Sequence, residues 1–234
     1  EMTENLGRSK IRNWLGKAAY FDYILFLDGD STVKNKDFIK NYISLVQPDQ
    51  VIYGGRQYYP KKPRAKKKIL HWKYGTKREA LSAKKRKKDP YLNFQSNNFL
   101  IPEKIFKQHH FDEKIVGYGY EDLMYAYQMQ KSGIQIQHID NPVIHDGLEL
   151  NNVFINKTKN AVSNLAILYK SGKLPSTRLT QMYENLKQYN LIQAFNWVYK
   201  KKEKNIEKNM LSDDPSITLF NAWKLHLLIK DLTS

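Results

Sequence analysis

The segment YILFLDGDSTV, residues 23–33, places two carboxylates one residue apart at the end of an apolar run. Asp28 and Asp30 repel each other unless a positive charge lies beside them. Carboxylate oxygens are the ligands that Mg²⁺ and Mn²⁺ prefer, and these ions often also hold substrate phosphates. Gly29 would let a ligand approach the backbone closely. The pattern therefore predicts a divalent-cation site, although Asp-Gly also forms simple turns, and a turn alone stays open as an interpretation.

A second acidic pair follows two glycines in the segment VGYGYED, residues 116–122. Glu121 and Asp122 would open a predicted helix, where acidic side chains also serve simply to stabilise the helix dipole. Tyr118 and Tyr120 would form an aromatic rim suited to stacking on a sugar ring. A carboxylate beside such a rim is a candidate general base for a hydroxyl group, so both interpretations stay open.

His145, in the segment NPVIHDG, is the third candidate for chemistry. Mn²⁺ accepts imidazole alongside carboxylate, and Asp146 could orient the ring through its other nitrogen. A single histidine more often has a structural role. His145 therefore becomes a ligand candidate only in combination with the two acidic motifs.

The elements that must position these residues are predicted from apolar periodicity. The pattern indicates an α/β core in residues 1–147 and a helical region in residues 148–234. Residues 23–27 do not alternate, which predicts a parallel strand buried on both faces. The other strands predicted in the core are 50–59, 97–101 and 134–139, with a short extended piece at 141–147. The helices predicted in the core are 3–19, 35–46, 102–108 and 121–131. A helix at 161–169 and two or three more are predicted after it.

Composition limits the function classes. The 234 residues include no cysteine, which excludes a disulfide framework and a thiol nucleophile and indicates a reducing compartment. Fourteen lysines and arginines but two acids lie between Lys61 and Pro90, so this segment carries most of the net charge of +16. We expect it to be a mobile loop that orders over a substrate, or a contact with phosphate or an anionic membrane. It contains no nucleic-acid recognition motif, so specific nucleic-acid binding is not expected.

Taken in chain order, the DGD motif, QSNNFLIP, FDEKIVGYGYED and the later histidine resemble the family 2 glycosyltransferases of GT-A fold. GYGYED is similar to the acceptor-side motif of the galactosyltransferase and chondroitin-polymerase groups, and GRSKIRN to the helix before the DxD strand. The resemblance covers about residues 7–147. It implies a GT-A (Rossmann-like) core followed by a helical C-terminal region. It also implies inverting sugar transfer from a nucleotide-sugar, most simply a UDP-sugar, to a glycan or lipid-linked glycan in bacterial surface polysaccharide synthesis.

The resemblance also implies roles for individual residues. Asp30 and His145 would hold the divalent metal, Mn²⁺ or Mg²⁺, on the donor diphosphate. Asp28 would contact the ribose or the ion, and Asp122 would deprotonate the acceptor hydroxyl. The residues implied to bind the acceptor are Glu121, Tyr118 and Tyr120. The residues implied to bind the donor, together with Asp28, are Arg12, Asn13, Asn97 and Asn98.

Two segments that bind the nucleotide base in the family, a strand with Pro-x-Tyr/Asn and an Asp-Asp-Gly-Ser stretch, do not occur in this sequence. We therefore expect an N-terminally truncated core that lacks roughly 70–90 residues of the family pattern, self-associates and binds UDP weakly. The resemblance implies a cytoplasmic location, peripheral at the inner membrane face. The alternative is a non-catalytic basic module on anionic membranes or polyanions, whose binding would be salt-sensitive and metal-independent. A metal-dependent phosphohydrolase fits less well, because no further acid cluster supplies a second metal site.

Overall fold

The computed structural model describes residues 6–115 and 118–233. The chain divides into two compact units. The first unit contains residues 1–60 and 75–147, and the second contains residues 61–74 and 148–234. Segment 61–74 therefore belongs to the second unit, whereas the sequence placed it in the core.

Seven strands form two small sheets among the described residues of the first unit. In chain order they are β1 (Tyr23–Leu27), β2 (Ser31–Thr32), β3 (Gln50–Tyr53), β4 (Arg56–Gln57), β5 (Asn98–Pro102), β6 (Gln135–His138) and β7 (Val143–His145). The larger sheet has the order β1-β5-β3-β6, in which β5 is antiparallel to β1 and β3, and β3 is parallel to β6. The smaller sheet has the order β2-β7-β4, in which β7 is antiparallel to β2 and parallel to β4.

Ten α-helices occur in the described residues, together with a 3₁₀ turn at Lys66–Lys68 and a π turn at Gly75–Glu79. The helices of the first unit are α1 (Arg8–Lys17), α2 (Phe38–Ile43), α4 (Ala83–Arg86), α5 (Glu103–Gln108) and α6 (Glu121–Lys131), and those of the second are α3 (Ile69–Tyr74), α7 (Asn151–Lys170), α8 (Arg178–Gln188), α9 (Ile192–Met210) and α10 (Ile217–Thr233).

The prediction for β1 is right in position and wrong in environment. The strand spans the predicted residues, but it is an edge strand and antiparallel to its neighbour β5. Ile24 and Phe26 are buried, whereas Leu27 is exposed. The alternate residues Tyr23 and Leu25 are partly buried, so β1 buries one face fully and the other face in part. Strand β5 is buried at every position. The sequence predicts this strand but not its complete burial.

Aromatic side chains fill both faces of the larger sheet. On one face Phe111 stacks on Tyr125 with ring centroids 3.9 Å apart, and Phe26 stacks on Phe99 at 4.8 Å. The opposite face carries the cluster Phe38, Tyr42, Ile52, Leu100 and Val143. Two-sided burial fixes the end of β5, and with it the loops that follow β1 and precede β5, where the predicted site residues lie.

The expectation that residues 61–90 form a solvated mobile loop is wrong. The segment contains α3 and α4, and Ile69 and Leu70 are buried. Arg86 is also buried, donating hydrogen bonds to the carbonyl oxygens of Gly54 and Ile139. Because buried polar groups with partners hold a segment in one conformation, its lysines lie on a folded surface.

The second unit is helical, as the sequence predicts. Its core joins α3, α7, α9 and α10 through the buried residues Leu70, Phe154, Tyr199, Ile206, Met210, Ile217, Phe220 and Trp223. Helix α7 is longer than the predicted 161–169 and ends before Gly172, whose φ of 68° suits a helix terminator. None of the helices within the described ranges combines the length and hydropathy needed to cross a bilayer.

Candidate active site

The smaller sheet brings the DGD motif to His145. Ser31 lies opposite His145 in the β2–β7 ladder, and the amide of Asp146 donates a hydrogen bond to the carbonyl oxygen of Asp30 at 2.9 Å. As a result, His145 Nδ1 lies 3.3 Å from Asp30 Oδ1. Two predicted ligands far apart in the sequence therefore meet at one point of the fold.

The pair fits a divalent cation. Ligand atoms that share an ion at about 2.0–2.3 Å lie within roughly 4–5 Å of each other, and this pair satisfies that limit. The adjacent His145 imidazole keeps the pKa of Asp30 below its ordinary value although burial opposes the shift, which favours the ionised carboxylate. No group of three or more His, Cys, Asp or Glu residues suited to a metal occurs within 6–115 and 118–233. Further ligands would therefore come from substrate and water.

Asp146 does not have the predicted role of orienting His145. Its carboxylate accepts a hydrogen bond from the Thr32 hydroxyl instead. The ring of His145 packs edge-on against Tyr58, with centroids 5.3 Å apart. An aromatic contact and the Asp30 carboxylate thus border the imidazole.

Asp28 has a different environment from Asp30. Its Oδ1 accepts a hydrogen bond from Arg12 Nη2 at 2.7 Å, and its Oδ2 accepts one from Arg56 Nη2 at 3.3 Å. The side chains of all three residues are largely buried. The two carboxylates of the motif can lie together because two guanidinium groups neutralise Asp28 and His145 lies against Asp30. Asp28 therefore holds two arginines in place by ion pairs. The sequence does not indicate these pairs.

Arg56 is the main site residue that the sequence analysis missed. It begins β4, directly after Gly54 and Gly55, and its Nη1 donates to Glu79 Oε2 at 3.2 Å. Glu79 also accepts a hydrogen bond from the Tyr58 hydroxyl. The only sequence signal is an arginine immediately after a strand and two glycines, in GGRQYY, and it does not specify a partner.

Asp122 lies at the start of α6, where the sequence placed it. Ser96 Oγ donates a hydrogen bond to Asp122 Oδ1, and Ser96 immediately precedes the predicted donor residues. Tyr120 precedes the helix with φ of 72°, a left-handed conformation that is uncommon outside glycine. That backbone turn directs the chain into α6 and sets where the Asp122 carboxylate lies. Val116 and Gly117 of the VGYGYED motif lie outside the described residues.

Glu121, predicted to bind the acceptor, is buried and bonded to Arg8. It is 3% exposed, and its Oε1 accepts a hydrogen bond from Arg8 Nη1 at 3.2 Å. Burial, together with the charge of Asp122, raises the pKa of Glu121 above its ordinary value. The Arg8 guanidinium also lies over the ring of Tyr118, 4.5 Å from its centroid. Glu121 thus holds Arg8 in place, and Arg8 covers one of the predicted rim tyrosines.

Two of the predicted donor residues have structural partners. Asn13 is buried, and its amide exchanges two hydrogen bonds with the main chain of Phe111, both at 2.9 Å. Asn98 is also buried, donating to the carbonyl oxygens of Gly55 and Asn141 and accepting from the Tyr42 hydroxyl. These side chains are therefore hydrogen-bonded within the fold, and their contact with the donor stays a prediction.

Asn97 is buried, and its Oδ1 accepts a hydrogen bond from the Tyr53 hydroxyl at 3.3 Å. The carbonyl oxygen of Asn97 accepts a hydrogen bond from the backbone N–H of Asp28, with an N···O distance of 3.0 Å. The residue therefore fixes the backbone of the DGD motif against the end of β5.

An open cavity of about 370 Å³ lies at the DGD motif. Its polar lining is Arg8, Arg12, Asp28, Asp30 and Ser96, with Gly29 between the carboxylates. Ile11, Leu15, Phe26 and Leu27 form the apolar part. Ser96 lines the cavity and also bonds to Asp122, so the candidate base neighbours a lining residue of the cavity.

No protein-family model matches the chain, and no curated protein sequence matches it. A solved structure similar to it is that of the mannosyltransferase PcManGT from Pyrobaculum calidifontis in complex with GDP-Man and Mn²⁺. The similarity has a TM-score of 0.49 and 15% identity, and it covers 97% of this chain and 68% of that chain. Values at this level do not establish a shared fold. The function proposed below therefore follows from the residues of the site.

Proposed function

We propose that this chain is a metal-dependent inverting glycosyltransferase that moves a sugar from a nucleotide-sugar to a hydroxyl group of a glycan. The observation that carries the proposal is the 3.3 Å separation of Asp30 Oδ1 and His145 Nδ1, because Asp30 lines the same cavity as Ser96, the hydrogen-bond donor to Asp122. A cation position and a base position at one cavity are what a single-displacement transfer requires.

Different residues would act at the donor diphosphate and at the acceptor hydroxyl. Asp30 and His145 would hold a divalent ion, which when bound neutralises the diphosphate leaving group. Arg12 and Arg56 are both paired with Asp28, the other carboxylate of the DGD motif. Asp28 and Glu79 balance these two arginines, so the charge that would stabilise the departing diphosphate is mainly that of the bound ion.

Asp122 would act at the acceptor. Ser96 engages its Oδ1, and we assign Oδ2 to the acceptor hydroxyl. The carboxylate takes the hydroxyl proton while the acceptor oxygen forms a bond to the anomeric carbon and the diphosphate leaves with its bonding electrons. This displacement inverts the anomeric configuration, and no covalent enzyme intermediate is required. Tyr118 and Tyr120 would border the acceptor sugar.

The donor we propose is a UDP-sugar, and the setting is bacterial surface polysaccharide synthesis, as the motif resemblance implies. The test is a screen of UDP- and GDP-sugars with Mn²⁺, in which nucleoside diphosphate release is measured with glycan acceptors. Asp122→Asn should lower turnover by about 10²–10⁴-fold while metal-dependent nucleotide binding is retained.

A matched control is Asp146→Asn, the same change at an exposed carboxylate bonded to Thr32. It should retain turnover within about twofold, because the loss of one exposed hydrogen bond has a small energetic effect. Full turnover by Asp122→Asn on the true acceptor would show that another residue is the base. Metal-independent turnover would refute the role of the Asp30–His145 pair.

A further inference from the structure

Helix α9 of the second unit carries a basic stripe opposite its buried face. Its buried residues are Tyr199, Ile206 and Met210, which belong to the core of the unit. Trp197, Lys201, Lys204 and Lys208 are all exposed and recur at the helical period, so they line the opposite face. The stripe is about 16 Å long at 1.5 Å per residue.

The acidic residues of α9 do not interrupt this stripe. Glu203 and Glu207 line a cavity together with Trp223, His226 and Lys230 of α10. They therefore lie on the flank of α9 that faces α10. Glu207 follows Lys204 by three residues, so it borders the stripe on this flank without lying within it.

The amino-terminal end of the stripe is apolar and exposed. Trp197 is 61% exposed, and Lys201 Nζ lies 3.5 Å from the centroid of its ring. Val198 and Leu191, nearby on the chain, are also exposed. An exposed tryptophan beside aliphatic residues has apolar area to bury, while the three lysines favour an anionic partner.

We propose that this surface, formed by Leu191, Trp197, Val198, Lys201, Lys204 and Lys208, binds an anionic lipid bilayer. Tryptophan and aliphatic side chains enter the headgroup–acyl boundary, and lysine stems extend along it while their ammonium groups reach lipid phosphates. A polyanion such as a nucleic acid would satisfy the lysines but offers little apolar area for Leu191 and Val198. The proposal goes beyond the transfer reaction, because the surface belongs to the second unit and the candidate active site to the first.

The test is co-sedimentation of the protein with vesicles of phosphatidylcholine mixed with phosphatidylglycerol and with vesicles of phosphatidylcholine alone. The protein should bind the anionic vesicles, and salt should weaken this binding. A triple variant should bind the anionic vesicles with an apparent affinity lower by at least about tenfold; its substitutions are Lys201→Gln, Lys204→Gln and Lys208→Gln. The matched control is Lys84→Gln/Lys85→Gln/Lys87→Gln, which removes equal charge from exposed positions of the basic segment and should retain near-normal affinity.

Tryptophan fluorescence provides a second readout. Trp197→Ala should abolish the blue shift that anionic vesicles produce, whereas Trp14→Ala, at a tryptophan that is 54% exposed, should not. Far-UV circular dichroism checks that each variant is folded. Equal losses in the two lysine triples would overturn the proposal, as would equal binding to both vesicle types. A blue shift that survives Trp197→Ala, or tighter binding to heparin than to anionic vesicles, would also refute it.

Discussion

His138 titrates inside a buried hydrogen-bond network, which makes the stability of the first unit depend on pH. Its Nδ1 accepts a hydrogen bond from Arg86 Nε at 3.1 Å, and its Nε2 lies 2.9 Å from the carbonyl oxygen of Pro90. This pattern requires a neutral imidazole that is protonated on Nε2. Burial lowers the pKa of His138 to about 4, and the charge of Arg86 adds to this effect.

The magnitude follows from the difference between the folded and unfolded pKa values. Between about pH 6.5, the ordinary histidine value, and about pH 4, the unfolded chain binds the proton and the folded chain does not. The stabilisation is therefore complete above about pH 6.5 and is lost as the pH falls toward 4. Near pH 5 this single residue should lower the free energy of unfolding by about 2 kcal/mol relative to neutral pH.

The assay is urea unfolding, followed by circular dichroism, of the wild type and His138→Gln at neutral pH and near pH 5. His138→Gln should be less stable at neutral pH but should lose about 2 kcal/mol less than the wild type on acidification. Identical pH dependence of wild type and His138→Gln would refute the reasoning.

Three further predictions concern packing and charge near the site. Asp28→Ala should lower the free energy of unfolding by about 3 kcal/mol, because it leaves the largely buried Arg12 without its counter-ion and removes one of the two carboxylates paired with Arg56; an effect as small as that of Asp30→Ala in urea unfolding would contradict this. Gly147→Ala should weaken metal-dependent nucleotide binding by about tenfold in a calorimetric titration, because its Cβ would lie 2.2 Å from Asp30 Oδ2; unchanged affinity would show that the carboxylate position is not critical. Gly16→Ala should destabilise the fold by about 1–3 kcal/mol, because its Cβ would lie 2.1 Å from the ring of Phe106; an unchanged melting temperature would count against this packing.

Most local elements of the fold could be predicted because they depend on short-range signals. Strand β5, helix α5 after Pro102 and helix α6 ending before Gly133 all lie close to their predicted positions. The pairing of β1 could not be predicted, because its partner β5 is distant in the sequence and an apolar run does not specify parallel or antiparallel neighbours. The folded state of the basic segment could not be predicted, because its many lysines and arginines outnumber the few buried side chains that hold it.

The candidate site was predictable in part for the same reason. Motif order was enough to associate Asp30 with His145, and the β2–β7 register brings them together. The partners of Asp28 were not predictable, because an arginine can reach a carboxylate from any neighbouring element. Asn98 resembled a ligand in the sequence, but a buried asparagine bonds equally well to backbone groups of the fold.

The central claim is that Asp30 and His145 hold a divalent ion together with a nucleoside diphosphate. Electron paramagnetic resonance of Mn²⁺ tests it directly, because it measures how much of the ion is bound when UDP and protein are both present. We expect Mn²⁺ binding that depends on UDP, that is lost in both Asp30→Ala and His145→Ala, and that persists in Asp146→Asn. Equal Mn²⁺ binding by the wild type and both alanine variants, or no binding by the folded wild type at any UDP concentration, would contradict the claim.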